Sequence, residues 1–306
     1  MRLVACSSYL PEKKLETSEI ANLFKVEEEY IIKRTGIKQR YFVESETIEE
    51  MATIAVQKLI EKTQIDVQEI GLIIVATTST NRLMPGISNY VQKNFNIKKC
   101  ITLDILAGCS GYINAVDIAQ LYIDSGKIKK AIVVGVDTLS KYTNYDDINT
   151  AIILGDGAGA TLFEKANNNL YFSNIESIPD FNNILVNASN SKISMDGLAI
   201  YKYAVTESVK NIKKLLEESG EKMENIKYIV PHQSNLKIMK AIANRLGVSM
   251  EKLFINIDKI GNTFCASIPI ALQEMTQNQL LKKGDKIILL GYGGGLNTGS
   301  ILIEIN

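Results

Sequence analysis

The residues best suited to covalent chemistry in this chain each stand at the end of an apolar run. Cys109 lies in Asp104-Ile105-Leu106-Ala107-Gly108-Cys109-Ser110-Gly111-Tyr112, between the apolar run 101–106 and a helical pattern starting near Tyr112. That spacing predicts a tight strand-to-helix turn with the sulfur exposed on it. A sulfur there meets the unpaired N–H groups and dipole of a helix N-terminus, which favour thiolate over thiol. Gly108 and Gly111 let another backbone or a substrate come close. Cysteine is also a small buried hydrophobe, and this stretch alone does not choose between nucleophile and core residue.

His232, the only histidine, follows the apolar run 226–230 in Pro231-His232-Gln233-Ser234-Asn235. Asn262 stands between Gly261 and Thr263, and a glycine-rich stretch reads Gly291-Tyr292-Gly293-Gly294-Gly295-Leu296-Asn297. Each has a plainer reading. A lone histidine often serves structure, and Asn262 suits a cap for the helix beginning near Ser267, or a turn. The glycines suit a tight turn; they lack the spacing of a dinucleotide fingerprint and no helix plainly follows. Gly155-Asp156-Gly157-Ala158-Gly159 precedes the strand-like run 160–163 and reads as close backbone packing rather than phosphate binding.

Periodicity supplies the elements that must position these residues. Residues 17–31 read as one helical stretch. The basic segment Lys33-Arg34-Thr35-Gly36-Ile37-Lys38-Gln39-Arg40 is either a solvated loop or the lip of a site for an anionic ligand. Residues 47–61 place Ile48, Met51, Ala52, Ala55, Leu59 and Ile60 on one helical face. The run 70–76 has the near-continuous apolar character of a strand covered on both sides.

An internal repeat then organises the chain. The helix and strand leading to Val75 are answered by a helix over 205–219 and the strand leading to Val230. The strand 100–106, the Cys109 turn, a helix to Ile123 and the strand 131–136 are answered by 253–257, the turn 261–267, a helix to Leu281 and the strand 286–290. From Val75 to Cys109 is 34 positions (109 minus 75), and from Val230 to Cys265 is 35 (265 minus 230). The halves look like duplicated βαβ-rich units. Ligands in open α/β sheets gather at the carboxyl ends of strands, and those ends are 77–81, Cys109, 231–235, 261–263 and 291–297. The candidates are expected to share one cavity.

Composition narrows the possibilities further. A length of 306 residues allows two core-sized units, and 46% apolar with 22% charged content is ordinary globular composition. With 34 basic and 34 acidic residues, neither nucleic-acid binding nor broad attraction to an anionic membrane is expected, so an acidic partner must meet a local patch. No signal peptide and no bilayer-length apolar run is visible. Cys6, Cys100, Cys109 and Cys265 have no metal-like spacing. A cytoplasmic protein without a metal is the expectation.

The stretches DILAGCSGY, VPHQSNLKI, GNTFCASIPIAL and GYGGGLNTG closely resemble the signature segments of β-ketoacyl-acyl-carrier-protein synthase III, a thiolase-fold condensing enzyme. RTGIKQR and GDGAGA match it too, and the resemblance runs in order from about residue 2 to residue 303. It implies an α/β thiolase fold in a five-layered αβαβα arrangement. Residues 1–165 would form the half with the nucleophilic Cys, and residues 166–306 the half with His and Asn. It also implies a homodimer and no cofactor, with acyl-CoA or acyl-carrier protein as substrate. Elongating ketosynthases need two active-site histidines, which this chain lacks. Degradative thiolases use a second cysteine, a role Cys265 does not match. Hydroxymethylglutaryl synthases place an acid near residues 77–80, and chalcone-synthase-like enzymes are longer, with proline in the loop that here reads Gly293-Gly294-Gly295. A cysteine protease would need neither the repeat nor the glycine loop.

On that resemblance Cys109, His232 and Asn262 form the catalytic triad. Cys109 takes the acyl group of a thioester, and the backbone N–H groups of Cys109 and Gly294 hold the oxyanion. Malonyl-acyl-carrier protein then loses CO₂, His232 and Asn262 stabilise the enolate as hydrogen-bond donors, and its carbon attacks the acyl-Cys. Lys237, Lys240 and Arg245 match the region where relatives dock the acidic carrier protein. Met84 aligns with a residue that reaches across the dimer into the partner's acyl pocket, and Tyr30, Arg34 and Asn235 are the remaining substrate-binding candidates. The chain departs from the family at Tyr30, where many members have Trp against the CoA adenine, and at Ile148, where they have Arg. Tyr still stacks but Ile does not replace a guanidinium, which leaves the donor's handle open between CoA and carrier. Residues 167–194 are polar and shorter than the family's. Two alternatives remain: an acyltransferase diverted to a non-malonyl acceptor, and a non-catalytic carrier-binding homologue.

Overall fold

The computed structural model describes residues 1–167, 170–188 and 191–306. Its first sheet runs in the order Arg2–Tyr9, Asp156–Glu164, Lys130–Thr138, Leu72–Ala76, Ile101–Ile105. Leu72–Ala76 pairs parallel with both neighbours, and the other pairings are antiparallel. Side-chain alternation divides this sheet between two cores. Leu72, Ile74 and Ala76 face one, Ile73 and Val75 the other. Burial of each of the Leu, Ile and Val side chains contributes about 1.5–3 kcal/mol, which is why these strands read as continuous apolar runs.

The second sheet, Ile226–Pro231, Lys286–Gly293, Asn297–Glu304, Tyr171–Ser177, has one parallel pairing followed by two antiparallel ones, the order of the first sheet without its outer parallel strand. The expected repeat is therefore present down to strand direction. Each half, 1–165 and 166–306, supplies one of the two larger sheets. Helices Ile48–Thr63 and Ile87–Asn94 cover the outside of the first sheet, and Gly197–Ser219 and Leu236–Leu246 the outside of the second. Gly111–Asp124 and Ser267–Gln277 lie between them, giving five layers, αβαβα. No helix among the described residues is long and apolar enough to cross a membrane.

Three expectations need correction. Residues 253–257 do not form a strand. Only Leu253 bridges to Ile229, because the buried Gln233 carboxamide takes over the next pairings: its Nε2 donates to the Phe254 carbonyl (3.0 Å) and its Oδ-equivalent, Oε1, accepts from Asn256 N–H (3.0 Å). Residues 17–31 are split between Thr17–Phe24 and Glu28–Thr35, since Lys25 turns left-handed (φ 52°) and ends the first helix. The basic loop is divided as well. Lys33 and Arg34 finish the second of these helices, while Arg40 is fully buried on the strand Gln39–Phe42 and donates to the Ile152 carbonyl at 2.7 Å. The packing reading of residues 155–159 holds: Gly157 and Gly159 lie within the strand Asp156–Glu164, and a Cβ on Gly159 would stand 2.7 Å from Pro269 Cβ in the central helix.

Candidate active site

Both central helices begin at the same place, and the residues just before them meet. The Cys265 thiol donates to the Gly108 carbonyl at 3.1 Å, tying the two turns together. Cys109 sits on the predicted turn between Ile101–Ile105 and Gly111–Asp124, with Gly108 at φ 59° and Gly111 N–H on the Gly108 carbonyl at 3.0 Å. It is not exposed as expected: its relative accessibility is 3%. The hairpin turn joining Lys286–Gly293 to Asn297–Glu304 covers it so closely that a Cβ on Gly293 would lie 2.7 Å from Cys109 Cβ and 2.9 Å from Sγ. A Cβ on Gly108 would collide with the Gly294 carbonyl.

That burial reverses the expected charge state. Desolvation, with a smaller contribution from Asp137, pushes the Cys109 thiol up to about 12, while the backbone N–H groups of Gly294 and Cys109 pull the other way. The resting sulfur is a thiol. The same two amides converge on it, so the pair expected to hold an oxyanion surrounds one reacting atom.

His232 follows the end of Ile226–Pro231, and its N–H donates to the Leu290 carbonyl at 2.7 Å. Its ring packs edge-on against Tyr292 (centroids 5.3 Å apart) and Phe264 (6.5 Å), and Nδ1 lies 2.7 Å from Ser267 Oγ. Burial depresses its pKa to about 3, so the imidazole is neutral. Asn262 is held by its backbone, with N–H on the Ile153 carbonyl (2.8 Å) and its own carbonyl accepting from Gly155 N–H (2.9 Å). Its Oδ1 accepts from Phe264 N–H at 3.1 Å, so the turn-holding role is real. That bond turns the oxygen toward the Phe264 amide and Nδ2 to the other side of the carboxamide, on a residue that lines the cleft.

Two cavities meet at Cys109. One of about 760 Å³ is lined by Thr78, Met84, Leu106, Asn187 and Gly294. The other, about 680 Å³, brings Cys109, His232 and Asn262 together and opens past Arg34, Asn235 and Lys237. Cys109 and His232 share this cleft without a direct hydrogen bond. Asn235 caps Leu236–Leu246 through Oδ1 to Lys237 N–H (2.9 Å). Lys237, Lys240 and Arg245 are exposed on that helix. Tyr30 does not line the cleft; Arg34 lies over its ring at 5.0 Å and donates to its hydroxyl at 2.8 Å. Ile148 packs against the core, and Met84 is 85% exposed at the rim of the first cavity.

Asp137, Phe264 and Ser267 also belong to the site, and their residue types alone do not single them out. Fully buried Asp137 accepts from Thr78 N–H (2.7 Å), Ser79 Oγ (2.7 Å) and Cys265 N–H (2.9 Å), binding loop 77–79 to the second half. An acid closing an otherwise apolar strand was its available signal. Phe264 has φ 42°, and nothing in its residue type announces that conformation.

Two sheets sandwiching paired helices, with cysteine and histidine just past strand ends and asparagine on the turn before the second central helix, define a thiolase-fold condensing enzyme. The family models described as 3-oxoacyl-[acyl-carrier-protein (ACP)] synthase III and its C-terminal part match residues 103–178 and 216–305. β-Ketoacyl-[acyl-carrier-protein] synthase III of Clostridium acetobutylicum is 37% identical, covering 99% of this chain and 98% of that protein. The crystal structure of the synthase III from Aquifex aeolicus superposes with a TM-score of 0.96 at 34% identity, covering 99% of both chains. That from Thermus thermophilus gives 0.96 at 29%, covering 100% of this chain and 99% of the other. The chain belongs to the β-ketoacyl-[acyl-carrier-protein] synthase III family.

Proposed function

We propose that this chain performs its family's decarboxylative condensation through Cys109, His232 and Asn262, joining an acyl thioester to malonyl-acyl-carrier protein. The observation that carries the reading is the convergence of the Gly294 and Cys109 amides on a sulfur that shares its cleft with His232 and Asn262. Because thiol and imidazole are both neutral at rest, the sulfur loses its proton only as it attacks. Nε2 of His232 takes that proton, directly or through one water as a general base does, while the C–S bond forms and the two amides hold the oxyanion. The proton passes to the departing sulfur, which leaves as a thiol.

Malonyl-carrier protein then brings a carboxylate into the cleft, and His232 takes up one proton from solvent at Nε2 against that charge. Loss of CO₂ moves the negative charge to the thioester oxygen, where the His232 and Asn262 N–H groups stabilise it. Attack of the enolate carbon on the acyl-Cys releases the β-ketoacyl product and a Cys109 thiolate, which recovers the proton from His232. One proton is consumed overall, as the stoichiometry requires.

The donor reaches Cys109 through the second cleft, past Arg34 and Asn235, and its acyl chain extends into the first. Lys237, Lys240 and Arg245 offer a cationic face to an acidic carrier. A cytoplasmic homodimer, with Met84 of each protomer at the other's acyl cavity, and an activity without metal or cofactor complete the proposal. The test is to supply acyl thioester and malonyl-carrier protein and to measure CO₂ and the carrier-bound product together. A β-ketoacyl-carrier product supports the condensation. An acyl group moved to another acceptor, without decarboxylation, contradicts it.

A further inference from the structure

Ser267 is fully buried and opens the central helix Ser267–Gln277, so its hydroxyl has few places to turn. Its oxygen lies 2.9 Å from the Phe264 carbonyl and 2.7 Å from His232 Nδ1. A serine hydroxyl has one proton and a carbonyl has none. Both contacts are hydrogen bonds at once only if the hydroxyl donates to Phe264 and the ring nitrogen donates to Ser267. Nδ1 then carries the ring proton, and Nε2, on the opposite side of the ring, is left with a lone pair.

We infer that Ser267 is a positioning residue that holds His232 in the Nδ1–H tautomer, keeping Nε2 free to accept the proton of Cys109. Its effect on catalysis rests on the function proposed above. The ring is also fixed sideways, by Tyr292 and Phe264, so one hydroxyl sets the protonation of an already immobile base. Orienting the second nitrogen of a catalytic histidine in this way is how a buried partner selects the useful tautomer. The Nδ1–H bond to Ser267 persists through both half-reactions, and only the proton on Nε2 comes and goes.

The chain has a single histidine, so protein made with ¹⁵N-histidine gives ring signals from that residue alone. In the resting wild type, Nδ1 is expected at the shift of a protonated ring nitrogen and Nε2 at that of a bare one. In Ser267→Ala the population is expected to move toward Nε2–H, and Cys109 acylation to slow about tenfold or more, as loss of a correctly poised base would give. A wild-type spectrum with the proton on Nε2 overturns the inference, as does a Ser267→Ala enzyme that acylates at the wild-type rate. The spectrum is read without substrate, so its outcome is separable from whether condensation occurs.

Discussion

At Cys109 two effects oppose each other on one sulfur: helix-end amides favour the anion, and burial under the glycine turn favours the thiol. Burial wins, because removing a charge from water outweighs two backbone dipoles at this sulfur. The sequence made the turn and the nucleophile legible, yet not this balance, since the covering segment is about 180 residues away in the chain. Gly293→Ala puts a methyl group against Cys109 Cβ, Sγ and N. It is expected to lower stability by about 1–3 kcal/mol and abolish acylation, measured by denaturant unfolding and acyl-enzyme formation. Wild-type acylation by that variant would show that the turn has room to move. His232 makes a second prediction. Its folded pKa of about 3 lies below the unfolded value of 6.5, so between those values only the unfolded chain binds the proton. Its contribution to stability is constant above 6.5 and falls as pH drops toward 3, by up to about 1.4 kcal/mol per unit. Against His232→Gln, the wild-type unfolding free energy should decline more steeply across that window. Parallel pH curves would mean that His232 is not buried as a neutral ring.

At the scale of elements, strand ends and central helices were readable because apolar runs and turn residues recur at matched spacings in both halves. The missing fifth strand of the second sheet was not. Gln233 replaces its ladder with a side-chain amide, and periodicity carries no trace of such a substitution. The split helix before Thr35 was hidden for a similar reason: Lys25 adopts a left-handed conformation that its type does not advertise. The helix Leu236–Leu246 shows what pattern reading does well. Ile238, Met239, Ile242 and Ala243 face inward, while Lys237, Lys240 and Arg245 face solvent and Lys237 lines the cleft. Lys237→Glu should raise the KM for malonyl-carrier protein several-fold, in line with charge reversal at a docking rim, and leave acylation by a short, carrier-free thioester unchanged. Equal loss with both substrates would remove this face from carrier docking.

For the whole molecule, the duplication places one sheet in each half and brings two helix starts to a single cleft. That arrangement explains how one cysteine, one histidine and one asparagine, spread over half the chain, come to line one cavity. The first cavity, in contrast, opens at a rim where Leu83 is 95%, Met84 85% and Leu106 71% exposed. A cluster of large apolar side chains at a cavity mouth fits a surface covered by a second copy. Sedimentation should therefore give a dimer, and Leu83→Asp combined with Met84→Asp should give a monomer. A wild type that stays monomeric at micromolar concentration, with normal acylation, would end the homodimer reading. The most direct test of the account is mass spectrometry of the intact protein and its Cys109 peptide after incubation with acyl-CoA and acyl-carrier-protein donors. A single acyl mass on Cys109 is expected, absent in Cys109→Ala and discharged by malonyl-carrier protein. A protein that acquires no acyl mass from any donor, or carries it on another residue, would contradict it.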